Sequence, residues 1–314
     1  MERDRIALVG SREEIGERIS SDTEVHDLGG RTVIPGIIDA HGHFPGSGLA
    51  NLGPDLASPP VGDITSIDQL VERVRAFATD TPEGDWILGF QYDDTLVAEK
   101  RHPTRHDLDR ASTDHPIVAM HVSGHLAVAN TLALELAGID RDTEDPAGGV
   151  IRREASGDPD GVLEETARDA VTQMAMDFSI PDFFDMIAHA SDEYASVGVT
   201  TAQSGLAPRF MVDGLYYASK LGRIPMRLEV WADPELGLQM ARGEFDASGY
   251  QSDDFRLGAV KIVHDGSIQG YTGYLSEPYH VPFKGDADYR GYPIMEREEL
   301  AELVRELHEA DLHI

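Results

Sequence analysis

The 314-residue chain contains no cysteine, only four lysines, and no apolar run long enough to cross a membrane as a helix. The first absence excludes disulfides, thiolate nucleophiles and every thiolate metal site, so any metal must be held by histidine, carboxylate or lysine-derived ligands. The scarcity of lysine, beside 22 arginines and 57 acidic residues, leaves a formal net charge of −31. That balance argues against nucleic-acid binding, because a phosphate backbone rewards clustered cations. The third absence argues against a membrane span: the most apolar stretch, 126–138, is interrupted by Asn130 and Glu135. The N-terminus is charged from its second residue and has no apolar core of a signal peptide, so a cytoplasmic protein is expected. The acid is dispersed along the chain rather than gathered in a tail. With so little lysine, this pattern points to a halophilic protein, whose self-repulsion is screened by high salt; an ordinary acidic bacterial enzyme is the alternative.

What is present reads as alternating elements. Residues 5–34 suggest short strands and a helix, and from Gly36 a buried strand is expected to run to His41 and His43. Ile67, Leu70, Val71, Val74 and Phe77 fall at helical spacing behind Ser66, which predicts a capped helix over 66–79. WILGF (86–90) and PIVAMHV (116–122) read as strands, and 139–165 as a turn-rich segment. From 181 onward helix and strand alternate: helix 181–197, strand VGVTTAQS, helix 208–221, strand IPMRLEVWA, helix 234–243, strand LGAVKIVHDG and helix 295–310. That pitch implies βα units around a parallel sheet.

Side chains at i and i+2 of a strand share a face, so His41 and His43 can converge on one ion. The spacing alone is weak evidence, since 13 histidines in 314 positions give about 0.5 chance occurrences of His-x-His. His121 and His125, at i and i+4, would also chelate a metal if they lay on a helix. His102, His106 and His115 fall in a polar, proline-broken stretch and read as solvated.

VIPGIIDAHGH (33–43) resembles the first-strand signature of the amidohydrolase superfamily. DWILGFQYDD, the stretch from HPTRHDLDR through HVSGHLAVAN, GGVIRREASGDPDGVLEETA, GVTTAQS and KIVHDGSIQGYTGYLSEPY follow in the order of its amidohydrolase 3 family, which includes N-substituted formamide deformylases. The resemblance implies an α/β fold of the TIM-like (β/α)8 kind, roughly its first half, with a partial N-terminal β-sandwich segment at 1–35. Residues 36–314 would carry barrel strands one to four, with a family-specific insertion at about 48–195. It implies that His41 and His43 ligate a metal, that Asp39 supports them, and that Lys261, on strand four, bridges two ions as a carbamate. The alternative for Lys261 is a strand lysine paired with Asp265 or another acid.

By the same resemblance His125 contacts substrate or supports the site, unless it is a satisfied structural histidine. Trp86, Gln91, Tyr92 and Asp93 would line the same cavity. His264, Asp265 and Ser267 sit at a strand end where a barrel places functional groups, although Asp-Gly-Ser is also an ordinary turn. Glu165 either faces the pocket or begins a surface helix. The implied cofactor is a divalent metal, one or two ions, with zinc favoured by imidazole and oxygen donors and manganese or iron as alternatives.

The implied reaction is metal-dependent hydrolysis of a non-peptide carbon–nitrogen bond in a small amide or N-formyl substrate. The later-strand histidines and the catalytic aspartate of two-metal relatives are absent from this sequence. Three expectations stand side by side for that: a fragment truncated before strand five, a chain that pairs with a complementary C-terminal half supplying strands five to eight, and a non-catalytic remnant or interaction subunit; separately, a homo-oligomer is an expected partner state. The charge pattern yields a direct test of the halophilic expectation: thermal unfolding followed against KCl should show the midpoint rising from dilute buffer toward molar salt.

Overall fold

A computed structural model describes residues 5–176 and 178–314, in two compact units, Met1–Gly36 and Ile37–Ile314. The described part of the first unit holds one short helix, α1 (Arg12–Gly16), closed by a capping box in which Ser11 and Glu14 exchange hydrogen bonds. No strand forms among its described residues, where the sequence suggests short strands of a sandwich. A lone strand has no partner for its backbone groups, and Val9, Val25 and Val33 stay exposed.

In the second unit the elements run, in chain order, β1 (Ile37–Ile38), α2 (Ile67–Asp80), β2 (Ile87–Tyr92), α3 (Arg105–Asp109), β3 (Ile117–His121), β4 (Leu126–Ala129), α4 (Thr131–Leu136), β5 (Gly149–Arg153), β6 (Pro159–Glu165), α5 (Asp169–Ala175), α6 (Ile180–Ser196), β7 (Val199–Ala207), α7 (Arg209–Lys220), β8 (Arg227–Ala232), α8 (Pro234–Ala241), β9 (Phe255–Val260) and α9 (Arg297–Glu309). They build two sheets.

The first sheet has the order β1-β7-β8-β9 and every pairing is parallel. Parallel neighbours require a crossover, and α7 and α8 supply it between β7 and β8 and between β8 and β9. Ala202, Leu228, Val230, Leu257 and Val260 of the strands pack against Ile187, Val212, Leu215, Leu236 and Leu307 of the helices. Beyond α9 the chain returns along β9, where the Val260 N–H donates to the His313 carbonyl at 2.7 Å and Ala259 pairs with His313 in parallel. This is the open half of a barrel-like sheet, with strands in the order the sequence implies.

The insertion is itself built around a sheet, ordered β2-β3-β4-β6-β5, parallel between β2 and β3 and antiparallel elsewhere. Alternation divides its strands between two apolar layers. Ile87, Ile117, Ala119, Leu126 and Val128 face Leu70, Val71 and Val74 of α2, while Leu88, Val118, Ala127 and Leu163 face Leu134 of α4 and Val171 of α5. Both faces are covered, which is why these strands read as continuous apolar runs. Asn130, the residue that breaks the run, caps α4 at zero exposure and uses all its polar capacity. Its oxygen accepts from Ile117 and Ala133, and its amide donates to Ser112 and His115 carbonyls.

Two expectations need correcting. The strand leading to the histidines stops at Ile38, and both its residues are exposed. The Asp39 carboxylate accepts the His41 N–H at 3.1 Å, a side-chain turn that draws the backbone off the ladder. His121 and His125 are not on a helix either: they flank the hairpin between β3 and β4.

Replacing Asn130 with Ala should lower unfolding stability by about 3 kcal/mol, because buried backbone partners lose their hydrogen bonds without water to replace them; urea denaturation measures it.

Candidate metal centre

The turn after β1 is fastened to β7 on both sides of His43. The Gly42 N–H donates to the Gln203 side-chain oxygen at 2.6 Å, the Phe44 N–H to the Gln203 carbonyl at 3.0 Å, and the Gly205 N–H to the Gly42 carbonyl at 3.0 Å. A Cβ at position 42 would lie 2.0 Å from Asp39 Oδ2 and 3.1 Å from the Gln203 carbonyl oxygen, so a side chain there would displace Asp39 from the turn. His43 Nδ1 donates to the Gly205 carbonyl at 3.1 Å. That bond fixes the tautomer and leaves the Nε2 lone pair open, as metal-binding imidazoles require.

Lys261 follows the last residue of β9, where its N–H donates to the Ala232 carbonyl of β8 at 2.9 Å. Its Nζ stands 3.5 Å from His41 Nε2 and 3.4 Å from His43 Nε2. Residues separated by 218 and 220 positions thus meet at three nitrogens. Lys261 has no ion pair among the described residues, and partial burial lowers its pKa. Burial, with the nearby Lys261 charge second, lowers that of His43. Both effects favour the uncharged nitrogens that ligation or carbamate formation needs. Tyr194, whose hydroxyl lies 3.5 Å from Asp39 Oδ2, has its pKa raised by burial and then by the Asp39 charge.

The other expected residues make contacts of their own. Asp265 accepts from the Tyr274 N–H at 2.8 Å rather than pairing with Lys261. His264 is partly buried, with Nδ1 unpartnered among the described residues. His125 donates from Nδ1 to Glu165 at 2.8 Å, and Glu165, just before the helical turn Thr166–Arg168, is buried rather than on the surface. Trp86 lines a groove of about 1040 Å³ with Leu52, Phe178 and Phe210. A second cavity of about 320 Å³ is bounded by Asp94, His102, Arg152, Asp160 and Tyr271. Neither includes His41, His43 or Lys261.

Asp93, Asp94 and His121 place ligand-type atoms within 4.8 Å of one another, yet their hydrogen bonds favour a different use. His121 Nδ1 accepts from the Ser123 N–H at 3.2 Å, so Nε2 carries the proton and donates to Asp94 at 3.1 Å. A nitrogen bearing that proton has no lone pair for a cation. Asp93 is further occupied by the Thr95 N–H and hydroxyl. His102 accepts from the Tyr92 hydroxyl at 3.0 Å, and burial, with the Arg152 charge second, brings its pKa down to about 3. The solvated reading therefore fails for His102 and for His115, which is buried between Ser112 and the Thr81 carbonyl. It holds for His106, exposed and paired with Glu154. Gln203 and Asp94 carry no mark in the sequence, because their partners are fixed only by folding.

A sequence model of the Amidohydrolase family matches residues 24–314. The chain is 31% identical over 229 residues to the N-substituted formamide deformylase of Arthrobacter pascens, covering 72% of this chain and 42% of that protein. It is 28% identical over 319 residues to YtcJ of Bacillus subtilis, covering 97% and 56% respectively. In structure it is similar to an uncharacterized metal-dependent hydrolase from Pyrococcus horikoshii, with a TM-score of 0.64 and 24% identity over 96% of this chain and 56% of that one. The chain spans about half the length of the relatives it matches.

The depressed His102 pKa fixes a sign. Between about 3 and the ordinary histidine value the unfolded chain binds a proton that the folded chain refuses, so stability falls as pH drops through that window. His102→Gln should weaken this acid sensitivity, read as a smaller loss of melting temperature between pH 6.5 and 4.

Proposed function

The chain belongs to the amidohydrolase family, and on that premise we propose that it carries the metal-binding half of a hydrolase acting on a non-peptide carbon–nitrogen bond in a small amide or N-formyl substrate. The observation that carries the proposal is the approach of Lys261 Nζ to both histidine Nε2 atoms, at 3.4 and 3.5 Å. A structural lysine would be expected beside an acid; this one faces two imidazoles, with burial lowering its pKa. The donor set fits a divalent ion, zinc being our choice for imidazole and carbamate oxygen ligands without thiolate.

In this reading His41, His43 and Lys261, the lysine once neutral and carboxylated, would hold the metal. When bound, the metal lowers the pKa of water and polarises the scissile carbonyl. The chain's own groups orient that site. The Gly205 carbonyl aims the His43 ring, and Asp39 holds the turn through the His41 N–H. Gln203 ties the turn to the sheet. The relative named as an N-substituted formamide deformylase supports the N-formyl choice. Residues 36–314 are read as barrel strands one to four with a family-specific insertion at about 48–195, and residues 1–35 as a partial sandwich segment, although its described residues form no strand by themselves.

A second reading rests on the span of about half a relative's length: the chain binds metal but turns over substrate only with groups from another chain. Zinc titration of the 314-residue protein against a chromophoric chelator separates the outcomes. Weak binding is expected, because two histidines and a lysine do not complete a tetrahedral set. It should vanish in His41→Ala/His43→Ala and weaken about 10- to 100-fold in Asp39→Asn. Binding that survives the double substitution refutes the centre. Hydrolysis of N-substituted formamides by the zinc-loaded chain supports the first reading, and binding without turnover the second.

A further inference from the structure

Two neighbouring glutamates close β6, and they are used differently. Glu164 is fully engaged: Arg152 donates to one carboxylate oxygen and the Tyr292 hydroxyl to the other at 2.9 Å. Glu165 is 4% exposed, receives His125 Nδ1 on Oε2 at 2.8 Å, and has no partner for Oε1 among the described residues. Its backbone sits at φ 48°, ψ −122°, a region where a residue bearing a Cβ is strained. The backbones of the pair are joined too, the Glu165 N–H donating to the His125 carbonyl at 2.8 Å. Gly266, five residues beyond Lys261, runs against the spare oxygen, and a Cβ there would lie 2.1 Å from it.

As a structural group this carboxylate is badly placed, since strain and a buried, unpartnered charged oxygen both act against folding. What it gains is control of His125. An ionised carboxylate only accepts, so the Nδ1 facing it must carry the proton, and in a neutral imidazole Nε2 is then an acceptor. That nitrogen has no partner among the described residues, and 27% of the His125 side chain is exposed.

We propose that Glu165 is a positioning residue that holds His125 as the Nδ1–H tautomer, presenting Nε2 to accept a hydrogen bond from the N–H of a secondary amide substrate. The substrate half rests on the reading under Proposed function; the tautomer half does not. It separates amides bearing one substituent on nitrogen, which keep an N–H, from fully substituted amides, which have none.

Nitrogen-15 NMR of the histidine-labelled chain, with His125 assigned by its loss in His125→Gln, tests the tautomer without metal or turnover. The wild type should show His125 as Nδ1–H, and a wild type found as Nε2–H overturns the proposal. Glu165→Gly removes the acceptor and relieves the strained φ. It should release His125 to the Nε2–H form with an unchanged or raised melting temperature. Glu165→Leu should release it as well, and Glu165→Gln, which keeps an acceptor oxygen, should retain Nδ1–H. An unaltered tautomer in the Gly and Leu variants overturns the pairing. In an active preparation, Glu165→Gly should raise KM for N-monosubstituted formamides and leave N,N-disubstituted ones unaffected; equal losses on both overturn the substrate half. Failure of zinc to bind sinks the metal reading and leaves the tautomer result standing.

Discussion

Gln203 receives the Gly42 N–H on its side-chain oxygen and the Phe44 N–H on its backbone carbonyl, so a single residue of β7 secures both sides of His43. Everything at the candidate centre depends on that fastening. β1 is only two residues long, too short to aim a side chain by its own ladder. The parallel ladder then relays position across the sheet: Asp233 donates to the Ala207 carbonyl and Lys261 to the Ala232 carbonyl. In this way the end of β9 comes level with the end of β7. Lys261 reaches the histidines because three strand ends are in step, not through any local sequence relation.

Desolvation supplies the chemistry. The same half-buried environment lowers the pKa of Lys261 and of His43, which favours the neutral, lone-pair form of each group. Histidines elsewhere are treated otherwise. His121 is committed to Asp94 by its Ser123 bond, and His125 is committed to Glu165 with its second nitrogen left open. Three histidine–partner arrangements in one chain therefore give two protonation patterns, each set by what holds Nδ1: the carbonyl at His43 and the carboxylate at His125 both keep the proton on Nδ1, and the N–H at His121 sends it to Nε2.

The helix behind Ser66 was legible because its apolar spacing is local, and the structure places it at Ile67–Asp80. The alternation from 181 onward gave β7, β8 and β9 for the same reason. The insertion was not legible as a sheet. Neither the short apolar run 126–129 nor the mixed segment 159–165 carries any mark of which strand it will pair with, and the order β4-β6-β5 is settled by antiparallel contacts between distant segments. The polar, proline-broken context of His102 and His115 suggested solvent. Burial came from the layers folded over them.

VIPGIIDAHGHF and the further motifs that follow in family order pointed, from the sequence alone, to the family, and by that resemblance to His41, His43 and Lys261 as candidate ligands, because motif order is written in the chain. Only the tertiary structure decided which nitrogens face one another and which proton each ring carries. Those depend on Gln203, Gly205 and Glu165, whose contacts span roughly 40 to 160 positions and arise from strand register and burial, quantities that no local stretch of sequence encodes.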